Sequence, residues 1–230
     1  MNNQTYFKLK QLRLSGMADA YHDLVTDHRK MQTLSIDEIL ELLVDRELNR
    51  RLDAKHARLL KRAAFEQPQA HIADIDYGEG RMLDRSVVLR LASCDFIGSG
   101  RNVVIMGATG SGKSYLACAV GREACRQLYS VRFKRMRALL EDLKLASESR
   151  ERKIKKDLMC CNLLIIDDWM LSSVDEVETA LLYEIIHERE ISHQTSTILC
   201  TQYDLKGCAL KMDGKTMSHA IYDRLEHNAY

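Results

Sequence analysis

Proline is almost missing from this chain. Pro68 is the one instance in 230 residues, and because an interior proline removes a helix hydrogen bond, its scarcity leaves long helices free to run. Net charge is nearly missing too: 34 Lys and Arg stand against 33 Asp and Glu, a formal +1. Overall charge therefore points to no partner, and a nucleic acid could be held only by a local patch. None of the seven cysteines (Cys94, Cys118, Cys125, Cys160, Cys161, Cys200 and Cys208) falls in a C-x-x-C pair. An odd count without metal-ligand spacing predicts free, buried thiols in a reducing compartment. No uncharged apolar run approaches the roughly 18 residues of a membrane-spanning helix. The opening MNNQTYFKLKQLRLSG also lacks the apolar stretch of a secretory signal. The expected location is the cytoplasm. What is present, 46% hydrophobic and 29% charged residues, suits an ordinary globular protein with one main core and a smaller appendage.

The first 70 residues read as helices. Met17, Tyr21, Leu24 and Val25 recur at helical spacing. Ser35-Ile-Asp-Glu38 has the form of a capping box, and a long helix is predicted from Ile36 to about Phe65, closed by Pro68. Its acids come early and its bases late: Arg46, Arg50, Arg51, Lys55, Arg58, Lys61 and Arg62 fill the second half. Charges that complement the helix's own dipole are one reading; a basic face for DNA phosphates is the other. Residues 66–85, with Pro68, Gly78 and Gly80, read as a connector. Beyond it, β-type runs at Asn102–Met106, Val131–Lys134, Leu163–Asp167 and Thr197–Thr201 alternate with helical patterns such as Ser114–Gln127 and Val174–Glu190. Alternation of that kind predicts an α/β fold, a parallel sheet flanked by helices.

Between the first strand and the following helix lies G107-A-T-G-S-G-K-S114, which satisfies G-x-x-x-x-G-K-[ST] in the setting that gives the pattern meaning. Glycines let the backbone curl so that N–H groups face phosphates, and the helix adds its positive N-terminal end. The expected nucleotide-binding residues are Gly107, Ala108, Thr109, Gly110, Ser111, Gly112, Lys113, Ser114 and Tyr115. Lys113 is expected to reach the β and γ phosphates, and Ser114 to hold magnesium. The strand L163-L-I-I-D167-D168 ends in two acids, which a buried strand has no structural need for. Asp167 is the expected second magnesium ligand, and Asp168 the residue that polarises the attacking water. Gln202 follows the fourth strand and could hold that water or the γ-phosphate. Arg224, in Asp223-Arg224-Leu225, is either a solvated arginine or one delivered to a neighbour's phosphate.

A second basic segment, residues 132–156, completes the expected DNA contacts: Arg132, Lys134, Arg135, Arg137, Arg152, Lys153, Lys155 and Lys156, alongside Arg50, Arg51, Lys55, Arg58 and Arg62. Clustered like charge on a balanced chain is the footprint of phosphate contacts; a flexible solvated loop is the alternative.

On these residues the chain resembles the IstB-type AAA+ ATPases that assist transposases of bacterial insertion sequences, and more distantly the DnaC helicase loaders. The resemblance runs through S35-I-D-E-I-L-E-L-L-V-D-R-E-L-N-R-R, A63-A-F-E-Q-P, D74-I-D-Y, the phosphate loop, L163-L-I-I-D-D-W, I198-L-C-T-Q and A220-I-Y-D-R-L-E-H-N-A-Y. It implies an AAA+ ATPase domain over 96–230, a helical N-terminal domain over 1–70 for self-association and DNA contact, and a connector over 71–95. It also implies ATP and Mg2+ as cofactors, and a homo-oligomer on double-stranded DNA, largely indifferent to sequence, that recruits or stimulates a transposase. A helicase loader is the alternative. Gln202 would then sense the γ-phosphate, and Arg224 would act on an adjacent subunit. Three departures stand out: Asp168 where many AAA+ enzymes carry glutamate, Met170 where relatives usually have glycine, and an end at Tyr230 where relatives continue with a strand and a second sensing arginine. Nucleotide binding is therefore expected to survive better than hydrolysis.

Overall fold

The computed structural model describes residues 3–27, 33–78, 83–192 and 195–227. Gly80 and the final Asn228-Ala229-Tyr230 of the C-terminal motif lie outside the described residues. The chain divides into two compact units, Met1–Arg58 and Leu59–Tyr230.

The first unit is helical. Helices α1 (Asn3–Gln11) and α2 (Ser15–Thr26) precede α3 (Ile36–Ala63), whose 28 residues begin in the first unit. The expected capping box starts α3: the Ser35 N–H donates to Glu38 Oε2 at 2.7 Å, and the Glu38 N–H to Ser35 Oγ at 3.3 Å. Its end comes two residues earlier than expected, where Ala64 takes a left-handed φ of 54°. Ala20, Leu24 and Leu43 form a small core with Met17, Tyr21, Leu34 and Ile39 around it. Glu47 is buried beneath the start of α2 and accepts from the N–H groups of Gly16 (2.6 Å) and Met17 (3.3 Å). It therefore supplies the carboxylate that a helix N-terminus favours.

The second unit holds four parallel strands in the order β1-β4-β3-β2: β1 Val103–Met106, β2 Val131–Arg135, β3 Leu163–Trp169 and β4 Ser196–Thr201. Helices α4 (Arg85–Ala92), α5 (Asp95–Gly98), α6 (Lys113–Arg126), α7 (Met136–Lys144), α8 (Glu148–Cys160), α9 (Glu176–Ile191), α10 (Leu205–Ala209) and α11 (Lys215–His227) surround them. The interior strand β3 is apolar from Leu163 to Ile166 because both faces are covered. Leu163 and Ile165 join the core beneath α6, while Leu164 and Ile166 join the core beneath α7 and α9. The period of two divides β4 in the same way, with Ile198 and Cys200 on one side and Leu199 on the other.

The alternative reading of residues 132–156 as a flexible solvated loop does not hold: they run through β2, α7 and α8, where Met136, Leu139, Leu140, Leu143 and Leu158 bury an apolar stripe against the sheet. One expectation needs correction. The thiols are free and six are buried as expected, but Cys160 is exposed. Among the described residues no helix is long and apolar enough to cross a membrane.

Candidate functional site

The phosphate loop leaves β1 at the C-terminal end of the sheet, the end at which open parallel sheets bind ligands. Gly107 donates its N–H to the Thr201 carbonyl at 3.2 Å, which ties the loop to the end of β4 and places Gln202 one residue beyond that bond. Gly110 (φ 76°) and Gly112 (φ 91°) hold left-handed backbone that a side chain would strain. Gly112 caps α6, so Lys113 is the first residue of that helix and Ser114 the second. The Lys113 ammonium bends back over the loop and donates to the carbonyls of Gly107 and Ala108, each at 2.8 Å. Its positive charge is thus held above the curl of N–H groups, where an anion could replace the two carbonyls.

Asp167 is buried and accepts the Asp168 N–H at 3.0 Å. Both acids lie where the β3–β4 register shifts, between Ile166 and Trp169. Such an irregularity re-aims side chains at a strand end. Asp168 has φ 55°, a conformation aspartate tolerates better than most residues and one that clusters at functional sites. Desolvation, and then the charge of Asp167, push the Asp168 carboxyl above its ordinary value, while Arg135 and Lys113 pull the other way. Beneath the acids lie two thiols. Burial and the nearby Asp167 carboxylate drive Cys200 up strongly, and Cys118 is pushed to about 11 by burial foremost. These are protonated packing groups and not nucleophiles. Cys200 Sγ lies 3.9 Å from the Lys113 carbonyl, so one side chain bridges the start of α6 and the Asp167 carboxylate. The hydroxyl of Ser114 and the carboxylate of Asp167 are hard oxygen donors, the set that suits Mg2+.

Above the loop opens a cleft of about 850 Å³. One wall is the loop with Tyr115 and Leu116; the other is Gln67, Asp74, Ile75, Asp76 and Leu83. Reading residues 66–85 as a connector missed this wall. The signal available was the D74-I-D-Y motif, whose Ile75 and Tyr77 are partly buried against the core. Tyr115, expected in the nucleotide site, joins the two walls, its hydroxyl accepting the His71 N–H at 3.2 Å.

Arg224 is not brought to this cleft. It lies on α11 with its Nε 2.5 Å from Glu190 Oε2, its Nη1 donating to the Ala220 carbonyl at 2.8 Å, and its guanidinium over the Tyr183 ring at 5.3 Å. Its neighbours Asn102, Thr195 and Thr197 lie where β1 and β4 begin, at the opposite end of the sheet from the loop.

Most of the expected DNA contacts are already paired. Arg132 is a core residue and leaves the set: it is buried, and its guanidinium is bonded to both oxygens of Asp157 and to the Val131 carbonyl. Arg62 shares Asp157, Lys134 pairs with Asp142, Arg135 with Glu66, Arg137 with Glu178, and Arg152 with Glu148. Lys155 is held by Glu151 and Glu184, with its side chain only 16% exposed. Lys153 and Lys156 are exposed on α8, as is Arg150 just before them. In the first unit Arg51 pairs with Glu47, and Arg50, Lys55 and Arg58 are exposed.

A parallel sheet with this loop at its carboxyl end, paired acids on the central strand and flanking helices defines a P-loop protein of the AAA+ type. The chain belongs to the IstB-like ATP-binding protein family, whose model matches residues 7–230. It is 37% identical over 227 residues to the y4pL insertion-sequence ATP-binding protein of Sinorhizobium fredii, covering 98% of this chain and 91% of that one. It is 40% identical over 206 residues to the IS1162 ATP-binding protein of Pseudomonas fluorescens, covering 88% and 87%. Solved structures share the fold: DnaI (TM-score 0.59, 20% identity, 75% of this chain and 87% of that one) and the AMPPCP-bound DnaA of Aquifex aeolicus (TM-score 0.56, 22% identity, 71% and 50%).

Proposed function

We propose that this chain is a magnesium-dependent ATPase that assembles on DNA and recruits or stimulates the transposase of an insertion sequence. The observation that carries the reading is the convergence, at one end of the sheet, of the Gly107–Ser114 loop, the Asp167–Asp168 pair and the end of β4 before Gln202, in a chain whose relatives are insertion-sequence ATP-binding proteins. Loop N–H groups and Lys113 hold the β and γ phosphates, and the cleft wall of Gln67, Asp74, Ile75, Asp76 and Leu83 seats the base. Ser114 and Asp167 hold Mg2+, which when bound neutralises charge on the phosphates. Asp168 orients a water whose oxygen attacks the γ-phosphorus as the bond to ADP breaks, and Gln202 senses the γ-phosphate. Arg224 serves a neighbour's site, a role its placement away from its own loop supports.

Self-association has a second support. Ile36, Leu40, Val44, Leu48 and Leu52 recur every four residues along α3 and are exposed, an apolar ridge of the kind that interfaces cover. DNA contact falls to the exposed cations Arg50, Lys55, Arg58, Lys153 and Lys156. A helicase-loader role is the second reading, favoured by the fold shared with the DnaC helicase loader (TM-score 0.56). The test is to size the protein with and without ATP and a DNA duplex, then to add an insertion-sequence transposase or a replicative helicase. ATP-dependent assembly on DNA that captures the transposase is expected. Capture of the helicase alone would transfer the reading to the loaders.

A further inference from the structure

Arg135 ends β2 directly across the ladder from Asp167. Its guanidinium stands between two carboxylates. Nε donates to Glu66 Oε2 at 2.9 Å, and Nη2 donates to Glu66 Oε1. The same Nε stands 4.0 Å from Asp168 Oδ2, with no hydrogen bond between them. The one N–H on Nε is spent on Glu66, so Asp168 feels the arginine's charge while its oxygens stay open.

Glu66 is itself firmly placed. Its neighbour Phe65 presses on α6 so closely that a Cβ added at Gly121 would stand 2.6 Å from the Phe65 ring. Its other neighbour, Gln67, lines the nucleotide cleft. The segment carrying Glu66 is thus wedged between the helix that follows the phosphate loop and the cleft wall. Glu66 reaches from there toward the end of the sheet where the paired acids lie.

We propose that Glu66 is a positioning residue for hydrolysis: its two-pronged grip on Arg135 stops that guanidinium from closing on Asp168. This rests on the reading of Asp168 as the residue that orients water. Arginine forms two-pronged pairs with carboxylates readily. Once Glu66 is neutral, the nearest carboxylate to Nε is Asp168. A closed pair there would occupy the oxygens that must face the water and shift the side chain out of line, and misplacement of this size is costly to rate.

The test compares four proteins, Glu66→Gln, Arg135→Gln, the double variant and Asp168→Asn, with the wild-type chain, measuring kcat, KM, the affinity for a fluorescent ATP analogue, and melting. Glu66→Gln is expected to lower kcat about tenfold with KM and analogue affinity within about twofold. Arg135→Gln is expected to hydrolyse at least as fast as wild type. The double variant is expected to match Arg135→Gln, because removing the arginine removes the harm of freeing it. A purely structural clamp gives the opposite pattern: both single variants and the double lose melting temperature and activity together, and the proposal is overturned. Unchanged kcat in Glu66→Gln overturns it as well. If Asp168→Asn hydrolyses ATP like wild type, it is the role of Asp168 that fails, whatever the Glu66 variants do.

Discussion

At the scale of single residues, Lys113 donates both of its observed hydrogen bonds to carbonyls of its own loop. A phosphate offers the same ammonium an oppositely charged acceptor, where the loop carbonyls are neutral. Lys113→Ala is therefore expected to weaken ATP binding by at least tenfold in calorimetry; undiminished affinity would refute the phosphate-site assignment. Asp168→Asn keeps the shape and loses the charge, so bound ATP with turnover reduced about a hundredfold is expected in a phosphate-release assay. Equal turnover would remove the role. Met170 makes a different argument. This chain holds a methionine there at φ 54° with its side chain fully buried. The left-handed backbone explains why glycine suits the position and costs methionine about 1–2 kcal/mol. Emptying the buried site costs about 2–5 kcal/mol. The second effect is larger, so Met170→Gly is expected to lower the melting temperature despite relieving the backbone.

At the scale of elements, the hairpin of α1 and α2 meets α3 through a position that the sequence pattern does not mark. A Cβ at Gly16 would stand 2.8 Å from the Arg46 carbonyl and 2.8 Å from Glu47 Cα, so only glycine lets the start of α2 reach the Glu47 carboxylate. Gly16→Ala is expected to expose residues 15–26 of the full chain to amide hydrogen exchange while leaving 103–106 protected; uniform protection would show that the close approach is dispensable. Glu47 gives this packing a pH dependence. Desolvation pushes its carboxyl up, but the bond from Arg51 and the N–H groups of Gly16 and Met17 outweigh it, and the net shift is downward from 4.5. A lowered folded-state value means that stability is fully present above the unfolded value and is lost as pH falls through the folded one. Protection of α2 should therefore hold above about pH 4.5 and decline below it. Glu47→Gln, which keeps one acceptor without the charge, should flatten that decline.

At the scale of the whole molecule, the two proposals are assembly and DNA binding. Arg224 and the phosphate loop occupy opposite ends of one sheet, so an arginine that serves catalysis must serve another protomer. Arg224→Ala should bind ATP yet hydrolyse it poorly, and Lys113→Ala should fail at its own site while still offering Arg224. Mixing the two should recover part of the ATPase activity. A mixture that co-assembles and stays inactive would rule the transfer out. For DNA, neutralising Lys153 and Lys156 should weaken binding to all sequences alike and reduce the salt slope by about 0.9 for each phosphate that goes unneutralised. Arg132→Gln should instead destabilise the fold, because it leaves Asp157 short of its buried partner.

The sequence by itself determined the sheet and its loop. Apolar β-type runs alternating with helical ones admit few topologies, and the spacing from Gly107 to Ser114 means little except between a strand and a helix. Those are local signals, written in consecutive residues. Only the tertiary structure decided what each charge does. The sequence showed a basic stretch at 132–156, but acids 8 to 69 residues away neutralise much of it, as Asp142 does for Lys134 and Glu66 for Arg135. The far wall of the cleft was likewise hidden, because Gln67, Asp74 and Leu83 become a binding surface only when the fold brings them together opposite the loop. Composition and periodicity record which face a residue turns to the core. They do not record which distant partner it meets there, and the chemistry of this site depends on those partners.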